Sequence, residues 1–304
     1  MATTTKSKAK KKTTKKPVSQ ASAKLSTKAT KVTKASKSKK TTVLKPSSKS
    51  SAKPVTVILR NLNILSGTLG LALAVAAGFL MNGSSYQIFS GLLSKDALAS
   101  KTETVFAPAV HAVFDLQLRW AVVGILVVSA VIPLMAATRQ RKMYEESLAK
   151  KIMLPRWIEM AIVSALMVEV IALLSGVQDA MTLKLIGGFM VVTALLGYLW
   201  EKQTAISAGS AKNIYRLSLL TCILPWIVIA SYAVNTLIYG MVRYPWYVYA
   251  LYATSLIVFM SYARNQMRYS RSYINYETTE KSYLRTGIFA KVSFALILIV
   301  GLYK

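Results

Sequence analysis

Seven apolar runs of 20 or more residues follow one another along most of this sequence. They cover residues 57–81, 118–137, 149–175, 180–200, 214–238, 244–266 and 282–302. Because a helix rises about 1.5 Å per residue, each run can cross a bilayer core about 30 Å thick. The sequence therefore predicts an all-α membrane protein built as a bundle of seven transmembrane helices.

A polar stretch of about 36 residues separates the first two apolar runs. It contains Gly83, Gly91 and Pro108, and apolar residues alternate with others near 104–114. Alternation bounded by glycine and proline is typical of paired strands. We therefore expect a β-hairpin between the first and second helices.

The first 53 residues differ sharply from the rest. They hold 17 of the 39 lysines and arginines, with no acidic residue and little to bury. Such a composition is typical of disorder, so we divide the chain into a Lys-rich tail, residues 1–53, and a membrane domain, residues 54–304. The tail lacks arginine and aromatic residues, which favours binding to anionic lipid, with nucleic acid or another polyanion as the alternative.

The basic residues of the loops predict an orientation. Between the tail and the end of the chain, the side that carries the N-terminus has fifteen lysines and arginines and the opposite side has six. Basic loops stay on the cytoplasmic side of a membrane. We therefore expect a multi-pass protein with a cytoplasmic N-terminus and an extracellular C-terminus.

One lysine, Lys291, lies near the middle of the last apolar run. A charged lysine at that depth costs at least about 2.5 kcal/mol, so it usually faces the bundle interior beside a carboxylate and marks function. Glu159 lies at a similar depth in the third run, and the two can pair. A desolvated amine can also form a Schiff base with an aldehyde, while a purely structural ion pair is the alternative.

A second acid, Glu169, lies ten residues further along the third run. That spacing separates the two carboxyls by about 15 Å along a helix and rotates them by about 80°. Glu169 can therefore face a neighbouring helix instead of the central pocket. Both a hydrogen-bonded carboxyl between helices and a role in transport remain open.

Several short motifs occur in an order and spacing that resemble the heliorhodopsin family, seven-helix retinal proteins with a cytoplasmic N-terminus. The resemblance covers residues 58–303. Its motifs are Asn63-Ile-Leu-Ser-Gly67, Arg156-Trp157-Ile-Glu159, Ser175-Gly176-Val-Gln-Asp179, Gly197-Tyr-Leu-Trp-Glu201-Lys202-Gln-Thr204, Pro225-Trp226-Ile227, Tyr244-Pro245, Asn275-Tyr276, Glu280, Tyr283 and Ala290-Lys291.

The resemblance implies that Lys291 binds all-trans retinal through a Schiff base and that Glu159 is its counterion. It also implies a homodimer in contact with membrane lipids. Two hydroxyls beside the counterion and two pocket walls follow from matching positions, and one further wall is expected from its closeness to Lys291 in sequence. These five residues are Ser129, Ser261, Met167, Trp226 and Phe289.

The chain also departs from the family pattern. Gly70 and Pro133 stand where the family often has proton-handling histidines, and His111 lies outside the spans. Glu169, by contrast, is an acid where the family pattern is apolar. We therefore hypothesise light-activated, passive proton conduction with Glu169 as an outer relay, against the alternative of a light sensor or regulator without transport.

Two further classes fit the sequence less well. A non-retinal secondary transporter often shows paired repeats with symmetric broken helices, and none is detectable. A membrane enzyme needs clustered nucleophiles, bases or metal ligands, whereas the chain has one histidine and one cysteine, Cys222. We expect neither enzyme activity nor a metal site, and the sequence points to no particular downstream protein partner.

Overall fold

The structure, a computed structural model, describes residues 52–95, 106–206, 211–241, 243–272 and 274–303. These residues form eight helices and two strands. In chain order they are α1 (Ala52–Leu80), β1 (Ser85–Lys95), β2 (Phe106–Gln117), α2 (Leu118–Ala137), α3 (Arg141–Lys150), α4 (Leu154–Leu174), α5 (Ala180–Ile206), α6 (Lys212–Tyr239), α7 (Trp246–Ser270) and α8 (Tyr276–Gly301). Residues 1–51, which make up nearly all of the Lys-rich tail, lie outside the described residues, so the predicted disorder and polyanion binding of the tail stay predictions.

Seven of the described helices are long and apolar enough to cross a membrane, and only the short α3 is not. Because the spans alternate in direction, α1, α4, α6 and α8 begin at one end of the bundle, which we call the N-terminal face. The other end, which carries the two strands, is the hairpin face. The predicted seven-helix architecture with a hairpin between the first two spans is confirmed.

The third apolar run begins later than its sequence suggests. Residues 141–150 form the separate helix α3, which ends at Lys151 in a left-handed conformation with φ of 58°. The spanning helix α4 then starts at Leu154, with Pro155 in its first turn. Proline is well tolerated there because the first turn leaves backbone N–H groups unbonded.

The two strands form an antiparallel hairpin, with register from Ser85 opposite Gln117 to Lys95 opposite Phe106. A bulge interrupts the pairing between Ile88 and Phe89. At that point the Phe89 backbone N–H donates to the Gln178 carbonyl at 2.9 Å, in the connection between α4 and α5. The hairpin is therefore tied to the bundle at its centre as well as at its two ends.

Buried apolar side chains form four clusters among the described residues, and two of these clusters make layers toward opposite ends of the bundle. The larger layer lies toward the hairpin face and includes Leu73, Val122, Ile171, Leu251 and Leu298. A smaller layer lies toward the N-terminal face and comprises Leu59, Ala136, Tyr144, Met153 and Tyr276. The buried polar residues Ser66, Ser129 and Lys291 lie between these two layers along their helices, at a level that we call the middle layer.

Close helix approach in the middle of the bundle depends on Gly70 of α1. A Cβ atom at this position would lie 3.1 Å from the Cβ of Ala130 on α2, closer than ordinary packing allows. At Gly70 the two helices α1 and α2 therefore approach each other closely, with no room for a larger side chain. This contact brings the neighbouring turns of both helices against α8.

Candidate chromophore site

The centre of the middle layer is the amine of Lys291, which is 5% exposed. Its Nζ lies 2.6 Å from Glu159 Oε1, 2.9 Å from Ser66 Oγ and 2.7 Å from the Ser129 carbonyl. Four helices, α8, α4, α1 and α2, therefore contribute one group each. Lys291 and Glu159, which the sequence predicts to pair because they lie at similar depths, are in contact in the structure.

Three acceptors around one nitrogen satisfy the three N–H groups of a charged ammonium. The adjacent Glu159 carboxylate, at 2.6 Å, compensates the charge of the ammonium in an apolar surrounding. When the amine gives up its proton, its lone pair can attack an aldehyde carbon. The arrangement can therefore hold either an ion pair or an imine linkage with a compensating carboxylate.

A cavity of about 940 Å³ of space free of protein atoms, part of it open to the outside, lies beside Lys291. Its walls are mostly apolar and come from α4, α7 and α8. Their principal side chains are Met160, Val163, Met167, Val168, Ile171, Leu251, Val258, Phe259, Tyr262, Leu284 and Phe294. A predominantly apolar cleft with one reactive amine in its wall fits a long apolar aldehyde.

Of the three predicted pocket walls, Met167 lines the cavity. Trp226 lies behind the wall, with its ring edge-on to that of Phe259 at 5.7 Å between centroids. Phe289 does not line the cavity and is 45% exposed on the outer side of α8. Two residues along a helix rotate a side chain by about 200°, so Phe289 points away from Lys291, and Phe294 forms the wall instead.

The two predicted serine hydroxyls are used differently. Ser129 contributes its backbone carbonyl to Lys291, while its hydroxyl donates to the Leu126 carbonyl at 2.8 Å. The Ser261 hydroxyl donates to the Ile257 carbonyl at 2.7 Å, and this residue is not on the cavity wall. Neither hydroxyl donates to Glu159, because each bonds a carbonyl of its own helix. The hydroxyl next to Lys291 is that of Ser66. The sequence analysis named this serine only as part of the motif Asn63-Ile-Leu-Ser-Gly67 and gave it no role.

A second ionic group, which we call the Arg156 cluster, lies one helical turn from Glu159 toward the N-terminal face. It consists of Arg156 with two carboxylates, Glu201 from the end of α5 and Glu280 from the first turns of α8. All three side chains are at most 9% exposed. The carboxylates also accept from Met153 N–H, Trp157 Nε1, Tyr276 Oη and Tyr144 Oη.

The Arg156 cluster borders the cavity. Arg156 and Tyr283 both line it, and the guanidinium lies 4.2 Å from the centroid of the Tyr283 ring. Among the described residues, Arg156 Nε and the Tyr283 hydroxyl have no hydrogen-bond partner. The sequence analysis named Arg156, Glu201 and Glu280 only as parts of family motifs. The two acids lie close to the ends of apolar spans, and that position was a signal of a buried ionic group.

Glu169 lies outside both groups. It is half-buried on the side of α4 that faces α5, where its carboxyl occupies the space that a side chain at Gly187 would need. It is not on the cavity wall. In the part of the chain that the structure describes, its carboxyl has neither a hydrogen-bond partner nor an ion pair. No group of three or more potential metal ligands occurs among the same described residues.

Comparison of the fold places the chain in the class of rhodopsin-like seven-helix proteins. The transmembrane domain of the rhodopsin phosphodiesterase of Salpingoeca rosetta superposes with a TM-score of 0.56 at 12% identity, over 81% of this chain and 83% of that one. Cyanorhodopsin from the cyanobacterium Calothrix sp. NIES-2098 has the same TM-score at 8% identity, over 82% and 96%. Identities this low establish the fold alone.

The family model for heliorhodopsin matches residues 59–302, which is most of the chain and all seven spans. The chain therefore belongs to the heliorhodopsin family, and the resemblance seen in its motifs is confirmed. No curated protein sequence matches it. As a heliorhodopsin it is a multi-pass membrane photoreceptor with a retinal chromophore, and heliorhodopsins are generally not enzymes.

Proposed function

We propose that this chain absorbs light through all-trans retinal held at Lys291 as a protonated Schiff base, with Glu159 as the counterion. The observation that carries the proposal is the contact of 2.6 Å between Lys291 Nζ and Glu159 Oε1 beside an apolar cavity. When bound, retinal supplies visible absorption and a change of shape under light. The chain supplies the amine, the compensating charge, and walls that exclude water.

The test replaces the amine. Lys291→Ala reconstituted with all-trans retinal should be folded and colourless, because no other described amine lies beside the cavity. Lys184→Ala is the matched control, since this lysine is exposed on α5, and it should keep the visible band. Hydroxylamine should bleach the wild type. A visible band that survives in Lys291→Ala would overturn the assignment, and extraction of the chromophore identifies its isomer.

We further propose that the N-terminal face is cytoplasmic and that the chain forms a homodimer in the lipid bilayer. The excess of basic residues at the N-terminal face supports this orientation. Protease or labelling access to the tail in sealed cells measures it. Labelling of the intact cell surface at the tail would contradict the proposed orientation.

We propose the tail, residues 1–53, as an arm that binds polyanions, with anionic lipid preferred over nucleic acid. Its lysines outnumber its acidic residues by seventeen to none. Deleting residues 1–51, which leaves α1 intact, should preserve the visible band and weaken binding to anionic vesicles in a salt-dependent way. Equal binding of both forms at low salt would rule the arm out.

A second candidate function is light-activated, passive proton conduction, and one observation favours it. Glu169 is a carboxyl in an apolar helix without a partner among the described residues, and it lies about 15 Å along α4 from Glu159 toward the hairpin face. Such a group can accept and return a proton when water reaches it. Because the Glu169 carboxyl lies against α5, proton conduction through it requires that water enter between α4 and α5.

Whole-cell recordings under illumination at two external pH values distinguish conduction from sensing. Conduction predicts a current whose reversal potential follows the proton gradient and which disappears in Glu169→Gln while the visible band remains. Glu146→Gln, an exposed acid of α3, is the control and should keep the current. If the wild type carries no photocurrent at any voltage, the protein is a non-transporting light sensor or regulator.

A further inference from the structure

The Arg156 cluster contains one more acid than base. Glu201 and Glu280 both bind Arg156, and no other cation forms a salt bridge with either carboxylate within the described residues. Each of the two carboxylates is 1% exposed. Two ionised carboxylates around one guanidinium would leave a buried net negative charge that no second cation among the described residues compensates. Burial of an uncompensated charge is strongly unfavourable, and a single bound proton removes it.

The two carboxylates differ in their donors. Glu201 accepts from four groups, Arg156, Tyr276 Oη, Trp157 Nε1 and the Met153 N–H, so both of its oxygens receive two hydrogen bonds. Glu280 accepts only from Arg156 and from Tyr144 Oη, at 3.2 Å for the tyrosine. Hydrogen bonds to the charged form stabilise it. Both oxygens of Glu201 are therefore saturated with donors, whereas Glu280 has lone pairs left over for a proton.

The other titratable side chains around the cluster are phenols and contribute no positive charge. They are Tyr144 of α3, Tyr269 of α7, and Tyr276 and Tyr283 of α8. Burial raises the pKa of Tyr144 to about 12, against smaller lowering effects of its hydrogen bond with Asn63 and of the Arg156 charge. The Tyr144 hydroxyl thus keeps its proton over the physiological range and can bond to Glu280 in either state.

The cluster also touches two openings. On one side, Arg156 and Tyr283 line the cavity beside Lys291. On the other, Tyr276, whose hydroxyl bonds Glu201, lines an open pocket at the N-terminal face together with Lys151, Thr204 and Tyr269. A proton held in the Arg156 cluster can therefore reach the solution at that face by way of Glu201 and Tyr276, without passing Lys291.

We propose that Glu280 is a proton-binding site, which holds one proton in the dark inside the Arg156 cluster and exchanges it through the pocket at Tyr276. The chain has a single histidine, His111, and it lies in β2, so no imidazole is present in the spans to hold a proton at this depth. The site is a property of the protein side chains and does not depend on attachment of retinal to Lys291.

Infrared spectroscopy of the full chain in lipid tests this inference. Wild type should show the carbonyl stretch of a protonated glutamic acid, identified by its shift on labelling with ¹³C-glutamate, and Glu280→Gln should lose the intensity of one carboxyl group. The isosteric amide keeps the bond to Arg156, so the variant should fold. The same band should persist in Lys291→Ala, which separates this inference from the proposed function, and in Glu169→Gln.

A pair of phenylalanine variants assigns the proton to one of the two acids. Tyr144→Phe removes a bond to Glu280 and should shift the frequency of the band. Tyr276→Phe removes a bond to Glu201 and should leave the band in place. If Glu280→Gln loses no carboxyl band, the proposal is overturned. It is also overturned if the band shifts in Tyr276→Phe but not in Tyr144→Phe, because the proton would then be on Glu201.

Discussion

Two buried ionic groups lie one turn apart on α4, and they are built differently. At the hairpin side of that turn, Glu159 meets the single amine of Lys291, and the remaining neighbours are the neutral oxygens of Ser66 and Ser129. At the other side, Arg156 meets two carboxylates. A lysine can lose its proton and form a covalent bond, whereas an arginine stays charged. Covalent chemistry is therefore possible only in the first group.

The surroundings match this division. The Glu159 side chain is 18% exposed, beside a cavity that a ligand can enter. The carboxylates of the Arg156 cluster are enclosed by aromatic side chains and receive donors from α3, α4 and α8. The first group can change its bonding without rearranging the helices. The second fixes the ends of four helices at the N-terminal face.

The largest expected effect comes from breaking the second group. Arg156→Ala leaves the buried acids Glu201 and Glu280 without their shared cation, and removing one partner of such a group costs about 3–5 kcal/mol. We expect a large loss of thermal stability in detergent, or no folded protein. The control is Arg141→Ala, which removes an exposed pair with Glu145 and should cost about 0.5 kcal/mol or less. Similar melting temperatures for both variants would show that the cluster does not hold the helices together.

Breaking the first group should cost less stability and change colour more. In Glu159→Gln the nitrogen at Lys291 loses its compensating charge, but it can respond by losing its proton, which Arg156 cannot do. The visible band should move to the red or be replaced by near-ultraviolet absorption, with a smaller loss of stability than in Arg156→Ala. Absorbance and thermal unfolding measure the two effects. An unchanged spectrum would remove Glu159 from the counterion role.

A smaller change tests the packing that supports the Arg156 cluster. A Cβ at Gly197 of α5 would collide with the Trp157 ring, which Glu201 holds through Nε1 at 2.7 Å. Since the ring cannot move without losing that bond, Gly197→Ala should cost about 1–3 kcal/mol, as overpacking does. Gly188→Ala on the same helix meets nothing within 4 Å and should be nearly neutral. Equal stability of the two variants would contradict the proposed rigidity of Trp157.

The first ionic group was more accessible from the sequence than the second. The length of the apolar runs predicts the seven spans, and counting from the starts of the runs at 149 and 282 places Glu159 and Lys291 at one depth. The two residues do meet, although α4 and α8 begin at Leu154 and Tyr276, so the predicted contact was right while both helix starts were misplaced. The Arg156 cluster joins residues 45 and 124 positions apart, so no local pattern reveals its geometry. The depth of a residue in its span does not tell which way its side chain points around the helix axis. The sequence therefore predicted Phe289 as a pocket wall, whereas Phe294 lines the cavity in the structure.

The smallest expected effect concerns two serines that hold the same amine in different ways. Ser66 offers its hydroxyl to Lys291 Nζ at 2.9 Å, whereas Ser129 offers its backbone carbonyl at 2.7 Å. Alanine at Ser66 removes an acceptor, but alanine at Ser129 keeps the carbonyl and loses only a bond within α2. A protonated Schiff base keeps one N–H and so bonds one acceptor, but the Ser66 hydroxyl remains a polar group beside the nitrogen, so only Ser66→Ala should shift the visible band measurably. A larger shift in Ser129→Ala would mean that its hydroxyl, and not its carbonyl, acts on the chromophore site.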